Sequence, residues 1–282
     1  MKLIKTPTDW NPLWLSHLQK NERIGLVPTM GALHQGHLDL VEKSRQSCEV
    51  TLTSIFVNPT QFNNPEDFKK YPSALDKDLE HLEKIGVDYV FVPSLETMYP
   101  KPTELKVDFG ELERVLEGEF RPGHFNGVGI IVSKLFHMIR PSTAFFGQKD
   151  LQQVAIIRRL IEDLSFPIDL EIVPTRRETD GLAMSSRNLR LTPSERDHAL
   201  ILFTSLAKAK SKLLAGQKWA NIKQEIQLDF LQTPFAKLEY FELIHPDSFK
   251  KYQEFSLDKK SSICVAAFIG EIRLIDNLPI IP

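Results

Sequence analysis

The stretch from Ile24 to Val57 constrains the fold of this chain more than any other. Ile24 to Pro28 reads as a short buried strand and Gly31 to Gly36 as a glycine-containing loop. His37 to Ser47 then reads as an amphipathic helix with Leu38, Leu40 and Val41 inward, and Val50 to Val57 (VTLTSIFV) as a second strand. Strand, loop, helix and strand in that order make a βαβ unit. Its crossover is right-handed, because a right-twisted strand that feeds a helix packs back onto its own sheet only that way. The alternation continues: helices around Ala74 to Ile85, Val128 to Ile139 and Asp150 to Leu164 intersperse with strands at Asp88 to Val92, Ala144 to Gly147 and Leu170 to Pro174. Such a pattern predicts an α/β fold with a doubly wound, Rossmann-like parallel sheet, and in open sheets of this kind ligands bind beyond the carboxyl ends of the strands.

After Asp180 the pattern changes. Thr192-Pro193 opens a helix, with Thr192 as N-cap and Pro193 at the first helical position. A second helix follows near Lys218 to Leu231, then strands at Leu238 to Ile244, Ile263 to Ile269 and Glu271 to Ile275, with a hairpin turn at Gly270-Glu271. We therefore expect a Rossmann-like domain over residues 1–178 and a smaller C-terminal α+β domain over residues 179–282.

Composition narrows the partners. With 282 residues and 42% hydrophobic content the chain can fill a substantial core. Its 35 basic and 37 acidic residues nearly cancel, so no global field draws it to nucleic acid or to an anionic membrane. Cys48 and Cys264, the two cysteines, lie far apart in sequence and outside any zinc-ligand spacing. The N-terminus, MKLIKTPTDWNPLWL, has no basic region followed by an apolar run, and no stretch of about 18 apolar residues occurs anywhere. A soluble, cytoplasmic protein is expected.

Chemistry concentrates in a few segments. In PTMGALHQGH (Pro28 to His37), glycines permit close backbone approach, and His34 and His37 sit one turn apart where a helix begins. Backbone N–H groups, helix dipole and imidazoles then converge on one point, as a phosphate requires. A helix N-terminus disfavours the imidazolium and a triphosphate favours it; the full charges of the phosphates outweigh the dipole's roughly half charge. His37 is therefore expected to act on phosphate as a cation or an N–H donor. FVNPTQF (Phe56 to Phe62) starts at the end of the second strand, where Asn58 and Gln61 can each donate and accept, as a hydroxyl- and carboxylate-bearing substrate needs. In FGQKDLQQ (Phe145 to Gln153), Lys149 follows a strand end and is placed to meet phosphate, while Asp150 opens a helix. MSSRN (Met184 to Asn188) sets Ser185 and Ser186 beside the Arg187 guanidinium, a clamp for phosphate oxygens. RPGHFNGV (Arg121 to Val128) flanks a helix entrance and builds either site or wall.

These segments, with Tyr71-Pro72 and TDGLAMSSRN, resemble the pantothenate synthetase family in identity, order and spacing from about residue 20 to residue 190. HxGH itself is similar to the signature of nucleotidyl transferases and class I aminoacyl-tRNA synthetases. The resemblance implies two steps: pantoate attacks ATP to give pantoyl adenylate and pyrophosphate, and β-alanine then displaces AMP to give pantothenate. It implies that Met30, Gly31, Ala32, Leu33, His34, Gln35, Gly36 and His37 contact ATP, with His34 and His37 on the phosphates and His37 as proton donor. Gly147, Gln148, Lys149 and Asp150 would bind ATP, Lys149 at the phosphates and Asp150 at the ribose. Gln61 and Gln153 would hold pantoate from two sides, alongside Asn58. Met184, Ser185, Ser186 and Arg187 would cover the nucleotide, making the C-terminal domain a lid. His34, His37, Lys149, Ser185 and Arg187 are the expected catalytic set. Arg176 stands where the family has an aliphatic residue and is expected near adenine through its backbone. A homodimer is implied. ATP chemistry of this type uses Mg²⁺ held mainly by phosphates; no protein ligand for it is fixed by the sequence, Asp78 being a weak candidate whose expected place is a solvated helix face. Two other readings stand beside this one: an adenylyltransferase that stops after moving AMP, which would have no use for the polar residues 58, 61 and 153, and a nucleotide-binding regulator without turnover.

Overall fold

Every strand of the sheet that organises the first part of the chain runs parallel to its neighbour. In chain order these are β1 (Lys2–Ile4), β2 (Ile24–Thr29), β3 (Val50–Ile55), β4 (Tyr89–Phe91), β5 (Thr143–Gly147) and β6 (Asp169–Val173), arranged β1-β4-β3-β2-β5-β6. The computed structural model describes residues 1–63, 65–69, 71–72 and 74–281. Its chain divides into two units, residues 1–148 with 156–174 and residues 149–155 with 175–282.

In the first unit β3 is buried along its whole length and β2 at all but one position, as expected of central parallel strands covered by helices on both faces. The helix Gln35–Ser47 connects β2 to β3. It presents Leu40, Val41 and Ser44 inward, and Leu38, expected there, is only half-buried. Ser44 and Thr51 share a hydrogen bond of 2.9 Å in that interface. Leu40, Val41, Val27, Ile55, Leu82, Val90 and Phe145 belong to one apolar cluster around the unit's central strands. Strand order reverses at β2: the chain leaves it toward β3 and β4, then returns through β5 and β6 on its other side. The cleft at the carboxyl ends of β2 and β5 is thus the topological switch point of the sheet.

The second unit carries an antiparallel sheet, β7 (Ala236–Ile244), β8 (Ser261–Ile269) and β9 (Ile272–Ile281), in that spatial order. The helices Ile201–Leu214 and Trp219–Gln232 pack on it. Leu202, Leu206, Ala209 and Leu213 form the apolar stripe of one, and Trp219, Ile222, Ile226 and Phe230 that of the other. Trp219 stacks on Phe241 with 5.6 Å between ring centres.

Three features depart from the sequence reading. The N-terminal β1 and the helix Pro7–Gln19 were not foreseen: a three-residue edge strand has no period to detect, and Pro12 interrupts the helical pattern. The helix opened by Thr192-Pro193, capped by Thr192 and Glu195 as its sequence requires, stops at His198, and a separate helix begins at Ile201. The last strand runs on to Ile281 and accommodates Pro279, which an edge strand tolerates. No helix among the described residues is long and apolar enough to cross a membrane.

Candidate active site

The sheet register brings the first two loops together. Thr29 pairs with Ile55 at the ends of β2 and β3, and β5 runs in register beside β2 to end at Gly147. The loops that follow β2, β3 and β5 therefore leave the same edge of the first unit.

The loop after β2 cannot be an ordinary turn. Gly31 has φ +80° and Ala32 φ +50°, two successive left-handed residues, of which the second carries a side chain that disfavours the conformation. A carboxylate holds them there. Asp78, on the helix Leu75–Lys84, accepts the Ala32 N–H at Oδ2 and the Leu33 N–H at Oδ1, both at 2.8 Å, and is 2% exposed. This corrects the expectation of a solvated Asp78: the side chain points into the unit because two buried N–H groups need acceptors.

The clamped loop delivers His34 to the N-cap of the helix Gln35–Ser47, with His37 one turn on. Their rings are 4.0 Å apart centre to centre, tilted by 31°. The His34 backbone N–H donates to His37 Nδ1 at 3.3 Å. A ring nitrogen that accepts carries no hydrogen, so in the neutral ring the proton sits on Nε2. His37 thus offers Nε2–H as its donor at the helix N-terminus. Gln35 donates to Asp39 at 3.0 Å within the same helix.

Asn58 is the N-cap and Gln61 the last residue of the 3-10 turn Pro59–Gln61 after β3. Asn58 was expected to meet a substrate, and the structure argues otherwise. It is 0% exposed; its Nδ2 donates to the Gly127 carbonyl at 3.2 Å, and its Oδ1 accepts from Tyr99 at 2.8 Å and Thr60 at 3.1 Å. Burial pushes the Tyr99 phenol up, against the opposing pull of its hydrogen bonds to Thr60 and Asn58, so it remains a donor. Asn58 is a pillar under the turn, and Gln61, half-exposed, is the residue that the turn presents.

RPGHFNGV proves to be the other half of this support. His124, at the start of the helix His124–Ile139, donates from Nδ1 to the Gln61 main-chain carbonyl at 2.9 Å. A β-carbon on Gly127 would lie 2.2 Å from the Thr60 carbonyl oxygen, so only glycine lets the turn lie against the helix. Gly127→Ala is accordingly expected to cost about 1–3 kcal/mol of stability through overpacking. Urea denaturation would measure it, and an unchanged midpoint would mean that the turn moves aside freely.

The remaining candidates belong to the second unit, apart from Gly147 and Gln148. Lys149 and Asp150 complete a 3-10 turn with Gln148, and the Lys149 carbonyl accepts from Asn277 Nδ2 at 2.9 Å. Gln153 lies on the helix Leu151–Asp163, half-exposed. Arg176 is exposed, with its carbonyl accepting the Met184 N–H at 2.9 Å. Ser185 caps the 3-10 turn Ser186–Arg190 by accepting the Arg187 N–H at 3.3 Å, and Ser186 is buried. Asn188 donates to the Ala183 carbonyl at 3.0 Å and so ties the turn back to the chain before it. Nearby, burial pushes the Asp276 carboxyl up, opposed by Arg177, by the Asn277 N–H and by the Lys149 ammonium. Asp276 and Asn277 were missed as contributors, and Asp78 and the RPGHFNGV residues His124 and Gly127 were singled out without their partners; none stands in a pattern that names its partner.

Three comparisons bear on this geometry. The chain matches the pantoate-beta-alanine ligase family over residues 2–279. It is 44% identical over 278 residues to a pantothenate synthetase of Fervidobacterium nodosum, covering 99% of each chain. Among solved structures it resembles the pantothenate synthetase of Thermus thermophilus (TM-score 0.92, 37% identity, all of both chains). It also resembles the pantoate-beta-alanine ligase of Francisella tularensis complexed with beta-gamma ATP and beta-alanine (TM-score 0.83, 34% identity, 99% of this chain and 97% of that one).

Proposed function

Since this chain belongs to the pantoate-beta-alanine ligase family, and so joins pantoate to β-alanine at the expense of ATP, we propose how its residues divide that work. In the first step a pantoate carboxylate oxygen attacks the α-phosphorus of ATP; the bond from that phosphorus to the bridging oxygen breaks, and pyrophosphate leaves. In the second, the β-alanine amine attacks the acyl carbon of the adenylate, the bond from that carbon to the bridging oxygen breaks, AMP leaves carrying that oxygen, and the nitrogen gives up a proton to solvent.

The first unit supplies the anion site. Gly31 to Leu33 bring backbone to the nucleotide, and His34 and His37 meet the phosphates from the helix N-terminus. His37 Nε2–H donates to oxygens whose charge grows as the bond to pyrophosphate breaks, and such a donor favours the transition state over the ground state. Gln61 meets the pantoate hydroxyls and carboxylate, held in place by Asn58, His124 and Gly127. Gly147 and Gln148 border the nucleotide. In the second unit, Lys149, Ser185 and Arg187 meet phosphate, Asp150 the ribose, Arg176 the adenine through its backbone, and Gln153 pantoate; the family likeness supports these roles. Bound together with ATP, Mg²⁺ would supply charge neutralisation at the phosphates. Among the described residues no group of three or more His, Cys, Asp or Glu could hold a metal, so the phosphates would be its main ligands. The same reading takes the enzyme to be a cytoplasmic homodimer.

The observation that carries this reading is a paired-histidine helix start at the switch point of the parallel sheet. Its test is isotope exchange between pyrophosphate and ATP, expected to require pantoate and to proceed without β-alanine. Exchange that needs β-alanine, or none at all with pantoate, would rule out a free-standing adenylation step.

A further inference from the structure

Two segments of the second unit that the proposed function assigns to the nucleotide are anchored from outside their own stretch of chain as well as by local hydrogen bonds. Lys149 sits in a three-residue turn, and residues 176–187 form a narrow loop closed by the Arg177–Ala183 bridge. Both are fastened to neighbouring residues of β9. Asn277 Nδ2 donates to the Lys149 carbonyl at 2.9 Å. Asp276 receives both arms of the Arg177 guanidinium, at 2.6 and 3.0 Å, together with the Asn277 backbone N–H at 2.8 Å. The same guanidinium donates to the Gly181 carbonyl at 3.0 Å and the Asn277 carbonyl at 3.1 Å, and lies 4.6 Å from the Phe203 ring centre. Asp276 and Asn277 are each 3% exposed.

A buried ion pair is a weak source of net stability, because removing two charges from water cancels most of their attraction. What a fully satisfied pair does provide is a fixed geometry: bidentate contact and two carbonyl acceptors leave Arg177 one orientation. We propose that Asp276 and Asn277 are positioning residues for the ligase reaction, Asn277 setting the backbone that carries Lys149 and Asp276, through Arg177, setting the loop that carries Met184 to Arg187. One strand then holds two phosphate-binding segments in a common frame. Neither residue touches a substrate. The inference rests on the phosphate roles given to Lys149 and Arg187.

A double-mutant cycle tests it. Asn277→Ala, Lys149→Ala and the double variant are compared in pantoate-dependent pyrophosphate exchange, resolving kcat from KM for ATP, with thermal unfolding alongside. Asn277→Ala is expected to lower kcat about 10- to 100-fold, the scale of a misplacement of about 1 Å, with a smaller change in KM. In the Lys149→Ala background it is expected to lower kcat no further, since there is no side chain left to misplace. Losses that multiply in the double variant, or full activity in Asn277→Ala, overturn the inference while leaving the role of Lys149 standing. Full activity in Lys149→Ala overturns the role of Lys149 itself. Asp276→Asn, which keeps the shape of the side chain, is paired with Arg187→Ala in the same way; should it not fold, the Asn277 cycle still decides.

Discussion

Replacing His37 with alanine is expected to slow pantoyl adenylate formation roughly 10²- to 10³-fold, about 3–4 kcal/mol, the usual loss on removing one donor aimed at developing charge. The reason lies in the ring's surroundings. His37 Nδ1 accepts from the His34 backbone, which leaves Nε2–H to act, and the helix Gln35–Ser47 aims that ring from its N-terminal turn. A donor so placed interacts more strongly with the phosphates as they gain charge, so kcat should fall more than KM for ATP rises. Single-turnover measurement of adenylate formation checks it. A loss of tenfold or less would make His37 a part of the helix cap with no role in the chemistry. His37→Gln is an informative companion, since its amide can donate at the same helix end; partial recovery of rate is expected.

Asp78→Ala is expected to lower both stability and rate. The carboxylate is the acceptor for two buried N–H groups, Ala32 and Leu33. Leaving a buried donor unmatched costs about 1–3 kcal/mol, so the two together reach roughly 2–6 kcal/mol, a large share of a typical total of about 5–15 kcal/mol. The loop also loses what offsets its two left-handed residues, Gly31 and Ala32. Once it relaxes, the helix start that presents His34 and His37 shifts with it. Asp78→Asn keeps one carbonyl acceptor but turns an NH₂ toward the other donor, so it should fall between wild type and alanine. Urea midpoints and exchange rates measured on the same preparations decide the matter. An Asp78→Ala protein as stable and as active as wild type would show that the loop holds its shape unaided.

The parallel sheet was legible because its signals are local and repeated. β2, the helix Gln35–Ser47 and β3 each carry their own period, and a strand, helix and strand in succession permit one handedness of crossover. The turn at Gly270-Glu271 and the Thr192 cap were readable for the same reason: backbone angle and capping chemistry depend on residues within one turn of each other. The histidine pair belongs to this class too, since three positions along a helix fix which side chains are neighbours.

Asp78 shows where such reading stops. In sequence it is one acid among several on the charged helix Leu75–Lys84, and nothing nearby distinguishes it from Asp76, which is exposed. Its partner lies 46 positions away, in a loop whose unmet N–H groups exist only once the chain has turned left-handed at Gly31. Asn58 errs in the opposite direction. Its amide suits a substrate, yet Tyr99, Thr60 and Gly127 claim it first. Asn277 and Lys149 are 128 positions apart. The βαβ repeat, the change to an antiparallel sheet after residue 180 and the histidine pair at a helix start could be read from the sequence alone, because period, capping and helical spacing are properties of neighbours along the chain. Which polar groups remain open to a ligand, and which are taken up in holding the loops, only the tertiary structure decided, because a buried donor or acceptor takes its partner from whatever packing brings within about 3 Å.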